Sequence, residues 1–185
     1  MLQTQPGTMT AEDFDAFALL PENQNRILEF IAGEIHDVPS NAYVSSISTT
    51  ISYFFKRHVL EIGLAAHITG EAGGYMVNGE RYAPDVAVLL KAKQPELAKD
   101  GYNPLPPDLA VEVDYPSSPA SKRALRLKLG NYAAAGTLLW VVDPETKVIE
   151  VYPPVGKPKV FALGQTLDGG DVLPGFTLKV DDIFQ

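Results

Sequence analysis

Residues Asp108–Asp143 read DLAVEVDYPSSPASKRALRLKLGNYAAAGTLLWVVD. The stretch opens on the apolar run Leu109-Ala110-Val111 and carries Glu112 and Asp114 on alternate positions. Side chains alternate along a strand, so both carboxylates project from one face and Val111 and Val113 from the other. Two acids side by side repel each other unless a cation sits between them. Pro116 and Pro119 stop the strand, and the serine-proline cluster reads as a loop. From about Ser121 the spacing turns helical, with Leu125, Leu129 and Tyr132 on one stripe, Lys128 at its edge and Gly136 as the stop. Leu138–Val142 is a second apolar strand, ended by Asp143-Pro144. The unit is strand, helix, strand, with acids at the end of the first strand and a basic helix above them.

Working outward, the chain of 185 residues is long enough for one domain with a real core. Its 45% hydrophobic and 21% charged content suits a soluble globular protein. The absence of cysteine excludes disulfides, a thiolate metal site and a thiol nucleophile. No apolar run approaches the roughly 18 residues that would span a bilayer, so no membrane partner is expected. Residues 1–9 are polar, carry no signal-peptide pattern and are expected to be flexible, which makes the cytoplasm the expected location. A net charge of −8 argues against broad adhesion to nucleic acid or anionic membrane. It leaves room for a local basic face, because phosphate affinity follows where the cations cluster.

Upstream, Thr10 and Asp13 form a capping-box pattern before a short helix with Phe14, Phe17 and Ala18. Arg26–Ile31 and Glu34–Val38 flank Ala32-Gly33 as a hairpin, with Glu29 on the face of Ile27 and Ile31 and Glu34 just past the turn. Ser40 or Asn41 caps a long helix whose inner side carries Ile47, Ile51, Phe54, Phe55, His58 and Ile62, with Gly63 at its end. Ala65–Thr69 is a strand. Tyr75–Val77, the turn Asn78-Gly79 and a second arm over Arg81–Leu90 form a hairpin. In that arm Pro84 delivers Asp85 at the mouth of the run Val86–Leu90. Lys91–Pro107 reads as a surface loop, and Val148–Val151, Val160–Leu163 and Thr177–Val180 as strands.

The chemical candidates are Asp85, Glu112 and Lys128, with Asp114, Glu29, Glu34 and Lys122 behind them. A hard divalent cation needs one or two carboxylates plus waters and phosphate oxygens, and acids at the ends of neighbouring strands supply them. A metal so held lowers the pKa of a bound water and neutralises charge on an attacked phosphodiester. A nearby ammonium orients the water or stabilises the transition state. His36, His58 and His67 are too scattered to form a ligand set.

The blocks Leu28–Glu34, Pro84–Val88, Ala110–Val113, Lys128-Leu129 with Tyr132 and Ala135-Gly136, and Trp140–Pro144 resemble the Uma-two family. That prokaryotic family is assigned to the PD-(D/E)XK restriction-endonuclease-like superfamily. Pro174-Gly175-Phe176 extends the resemblance over about Thr10 to Phe184. It implies an α/β fold, a single restriction-endonuclease-like domain over 1–185. A central mixed sheet would be flanked by helices, with additional N-terminal and C-terminal strands. It implies that Asp85 and Glu112 bind Mg2+ or Mn2+, with Asp114 as a further acid. Lys128 matches the helix lysine of related families and Lys122 stands in reserve, while Glu29 or Glu34 matches the additional N-terminal acid. The implied function is a metal-dependent DNA endonuclease, acting as a homodimer by analogy. The alternative is a noncatalytic member serving as a DNA-binding or protein-interaction module. The chain departs from the family at Tyr43, where histidine is common, at Asp114-Tyr115-Pro116, and at Ala124, where an acid is common. It is also one residue short between Gly136 and Trp140.

Overall fold

Residues 9–38, 41–113 and 118–185 are described by the structure, a computed structural model. The expected flexible lead-in falls outside them except for Met9, which packs against the Phe14 cluster. Ser40, Asp114 and Pro116 also fall outside.

Helix α1 (Ala11–Ala18) starts on the Thr10–Asp13 capping box. Strands β1 (Leu28–Ile31) and β2 (Glu34–Asp37) form the expected hairpin. Helix α2 (Ala42–Glu61) is capped by Asn41, whose side chain accepts from the N–H groups of Tyr43 and Val44. Its buried side is Ile47, Ser48, Ile51, Phe55 and Val59; Ile62, expected inside, lies beyond the last turn and is exposed. Strands β3 (Ala66–Gly70), β4 (Tyr75–Val77), β5 (Glu80–Tyr82), β6 (Val86–Leu90) and β7 (Leu109–Val113) follow.

The single arm expected over Arg81–Leu90 is two strands in two different sheets. Strand β5 pairs with β4 and β1, whereas β6 pairs with β3 and β7. Ala83-Pro84-Asp85 makes the crossing. Proline has no N–H to give a ladder, so pairing lapses there and the chain changes sheet.

Helix α3 (Pro119–Ala134) begins on a capping box between Ser118 and Ser121 and leads to β8 (Leu138–Asp143), parallel to β7. This is the expected strand–helix–strand unit, and parallel neighbours require such a crossover. Strands β9 (Val148–Tyr152) and β10 (Lys159–Phe161) complete a mixed six-stranded sheet in the order β10-β9-β8-β7-β6-β3. The N-terminal hairpin joins β5 and β4 in a four-stranded sheet of order β2-β1-β5-β4. Strands β11 (Thr166–Gly169) and β12 (Leu173–Lys179) pair in a third, two-stranded sheet before α4 (Val180–Ile183). The fold is thus the mixed α/β arrangement expected, with helices flanking a mixed central sheet.

Alternation within β6, β7 and β8 splits the core into two layers. Val86, Val88, Leu109, Val111, Val113, Trp140 and Val142 face α2 and the C-terminal hairpin. Ala87, Leu89, Ala110, Leu139 and Val141 face α3 together with Ile31, Tyr75, Val77 and Tyr82 of the four-stranded sheet. Among the described residues no helix is long and apolar enough to cross a membrane.

Candidate active site

Glu112 lies on β7 with the parity of Ala110, so it points into the layer beneath α3, where it is buried. Strand β1 is buried on both faces. Leu28 and Phe30 turn toward α1, while Glu29 and Ile31 turn toward the same layer as Glu112. Lys128 reaches into the gap from the third turn of α3. Its Nζ lies 2.8 Å from Oε1 of Glu29 and 2.9 Å from Oε2 of Glu112. Only 12% of the lysine side chain is exposed, so this is a largely buried cation between two buried carboxylates. Tyr82 adds its ring face, with Nζ 5.6 Å from the centroid.

Both acids accept a further hydrogen bond. Oε1 of Glu29 accepts the N–H of Ala83 at 2.8 Å, fastening β1 to the crossing that leads to Asp85. Oε1 of Glu112 accepts the hydroxyl of Tyr132 at 3.1 Å. Burial alone would pull the Lys128 ammonium down, but Glu112 and Glu29 outweigh it and raise its pKa. Burial works against ionisation of Glu112, and Lys128 works for it.

Asp85 stands one residue beyond the last β6–β7 pair, Val86↔Val111, and is therefore level with Glu112 across the ladder. Its Oδ2 accepts the N–H of Val113 at 2.7 Å. Burial and then the Glu112 carboxylate push Asp85 up to about 7, against the Val113 hydrogen bond and Lys128. Beside it lies a hollow of about 350 Å³ whose lining includes Ser45, Ser48, Thr49 and Ser52 of α2 with Glu71 and Asp85.

The structure therefore brings Glu29, Glu112 and Lys128 into direct contact and sets Asp85 beside them. It does not bring Glu34, which is exposed on β2 with its nearest ionic neighbour His36 at 3.8 Å. Lys122 is exposed on the first turns of α3, as are Arg123 and Arg126. Asp114 lies outside the described residues. Tyr132, which sequence spacing placed only on the apolar stripe, supplies a hydrogen bond to the site. The signal was available: Tyr132 is four residues after Lys128, one helical turn, and so shares its face.

Among the described residues no three histidine, aspartate or glutamate side chains gather as a ligand set. Lys128 occupies the space between Glu29 and Glu112. Asp85 and Glu112 are a different case. They are hard oxygen donors level with each other on adjacent strands, and Glu112 already disfavours the charge on Asp85. A divalent cation of the magnesium type relieves that repulsion and suits carboxylate donors, so the pair fits such an ion.

Residues 11–181 match the model of the Uma2 family, described as "Putative restriction endonuclease". A putative nuclease of the DUF820 group from Anabaena variabilis, known from its crystal structure, has the same fold. The TM-score is 0.77 at 21% identity, over 95% of this chain and 97% of that one. No curated protein matches.

Proposed function

The chain belongs to the Uma2 family, and from that membership and the geometry of the acids we propose that it is a metal-dependent endonuclease hydrolysing phosphodiester bonds in DNA. Family and fold support a nuclease function. The observation that carries the finer reading is the Lys128 ammonium held against Glu112, with Asp85 level on the next strand. Asp85 and Glu112 would hold Mg2+ or Mn2+, and Asp114 follows on the same chain segment. The bound ion would supply Lewis-acid activation of water and charge neutralisation at the phosphate. Lys128 has three N–H donors, of which Glu29 and Glu112 take two. Among the described residues the third has no acceptor, and it would orient a water or a phosphate oxygen. Glu29 holds the lysine and, through Ala83, the turn that presents Asp85. The exposed Lys122, Arg123 and Arg126 on α3 supply a local basic face on an acidic chain, and the hydroxyls of the α2 hollow can donate to a phosphate backbone.

A second reading, a noncatalytic DNA-binding module, is favoured by one observation: the lysine and both glutamates are already buried and paired with one another. A supercoiled-plasmid assay with Mg2+, Mn2+ or EDTA, run beside Asp85→Ala, separates the two. Nicked or linear product that both EDTA and the substitution abolish supports the endonuclease. Retarded but uncut plasmid supports the module.

A further inference from the structure

The proposed reaction gives no role to Tyr132. Its side chain is fully buried and lies one turn beyond Lys128 on α3. The two side chains divide one carboxylate between them: Lys128 takes Oε2 of Glu112 at 2.9 Å and Tyr132 takes Oε1 at 3.1 Å. The ring is in turn fixed by Tyr82, whose centroid lies 5.4 Å away. The Tyr82 hydroxyl accepts from Nδ2 of Asn131 at 2.6 Å, and Oδ1 of Asn131 accepts from Asn78 at 2.9 Å. Hydrogen bonds thus run from the β4–β5 turn through Asn131 to Tyr82, whose ring packs against the ring of the residue that touches Glu112.

We propose that Tyr132 is a positioning residue for divalent-cation binding: its hydroxyl fixes the Glu112 carboxylate in the orientation in which that group and Asp85 receive the ion. The inference rests on the endonuclease reading only for the presence of the cation. A phenylalanine ring would fill the same space in the apolar layer, so packing does not account for the hydroxyl. The ammonium of Lys128 repels an incoming cation, whereas the phenol is neutral and restrains the carboxylate without that repulsion. A glutamate has several rotatable bonds, and freezing them beforehand removes a cost that binding would otherwise bear. Groups that orient a metal ligand in this way change affinity by roughly 10–100-fold when removed.

The test is calorimetric titration of Mn2+ into the full chain as wild type, Tyr132→Phe and Asp85→Asn. Wild type should bind, Asp85→Asn should lose binding, and Tyr132→Phe should bind roughly 10–100-fold more weakly. A role in packing alone would lower the melting temperature of Tyr132→Phe equally with and without Mn2+ and leave its affinity unchanged, which overturns the inference. If wild type binds no Mn2+, or Asp85→Asn binds as wild type does, the cation reading falls and takes the inference with it. A second measurement covers the case in which Tyr132→Phe does not fold. With 3-fluorotyrosine at position 132 alone, the fluorine resonance should shift over the Mg2+ range that raises the melting temperature. A resonance unmoved at saturating Mg2+ overturns the proposal.

Discussion

Asp85→Asn should make the metal-free protein more stable, and increasingly so as pH rises. In the folded chain the Asp85 carboxyl sits at about 7 against an ordinary 3.8, because it is buried beside Glu112. The folded state therefore keeps a proton that the unfolded state gives up. Stability is unaffected below pH 3.8, falls as pH rises through the window between 3.8 and about 7, and is flat above it. At ~1.4 kcal/mol per pKa unit, a shift of about three units sets an upper bound of roughly 4 kcal/mol. Asparagine keeps the oxygen that accepts from Val113 but buries an amide NH2 in need of a partner, which costs on the order of 1–3 kcal/mol if none is found. The net gain should be on the order of 1–2 kcal/mol at about pH 8, roughly 2–8 °C in melting temperature for a domain of this size. It should be gone near about pH 4, where the folded carboxyl is protonated and the unfolded one nearly half so, leaving too little of the difference to offset the amide. Thermal melts of wild type and variant in chelator across this range decide the matter. Superimposable differences at all pH values, or a variant less stable at about pH 8 than at about pH 4 relative to wild type, would refute the picture of mutually repelling buried acids.

Lys128→Met should be severe, destabilising by roughly 3–5 kcal/mol in denaturant unfolding, because it leaves Glu29 and Glu112 buried without their cation. Gly74→Ala should cost on the order of 1–3 kcal/mol, since a Cβ there would lie 2.4 Å from the Tyr102 ring, whose hydroxyl donates to the Leu28 carbonyl and holds it in place. Asn41→Ala, which strips the side-chain acceptor from the first N–H groups of α2, should cost about 1 kcal/mol in the same assay. For DNA binding, each of Lys122→Ala, Arg123→Ala and Arg126→Ala should lower the slope of log affinity against log salt by about one where that residue meets a phosphate.

Local chemistry made much of this architecture readable. The Thr10 box, the Asn41 cap and the Asn78-Gly79 turn are decided by neighbours a few residues apart, and all three stand where such rules put them. What could not be read is non-local. Nothing in Arg81–Leu90 announces that Tyr82 and Val86 belong to different sheets, because both halves alternate acceptably and only tertiary pairing separates them. Strand β11 carries no sequence signal because Leu167 is its one large apolar side chain, and the run from Thr177 marks only the end of β12 because Pro174-Gly175 reads as a turn. At the site, alternation put Glu112 on the Ala110 face and Glu29 on the Ile31 face, but it could not show that the Ile31 face, and not that of Glu34, meets α3. Their difference lies in the hairpin: Glu29 shares the inner parity of Ile31, whereas Glu34 begins the outer strand and is exposed.

The position of Lys128 joins the candidate chemistry to the stability of the fold. Glu29 belongs to the four-stranded sheet and Glu112 to the six-stranded one, so the lysine on α3 links both sheets through a single ammonium. Glu29 adds a second tie through Ala83, at the crossing where the chain passes from one sheet to the other. Any substitution of Lys128 or Glu29 therefore loosens the junction that presents Asp85, and a loss of activity at either position would be expected whether or not the side chain ever meets substrate. Asp85 escapes this confusion. Its side chain ties no two sheets together, its removal relieves repulsion instead of creating it, and loss of cleavage in a variant that melts higher than wild type has no explanation in misfolding. That opposed pair of outcomes, lower activity with higher stability, is what separates an acid kept for chemistry from one kept for structure.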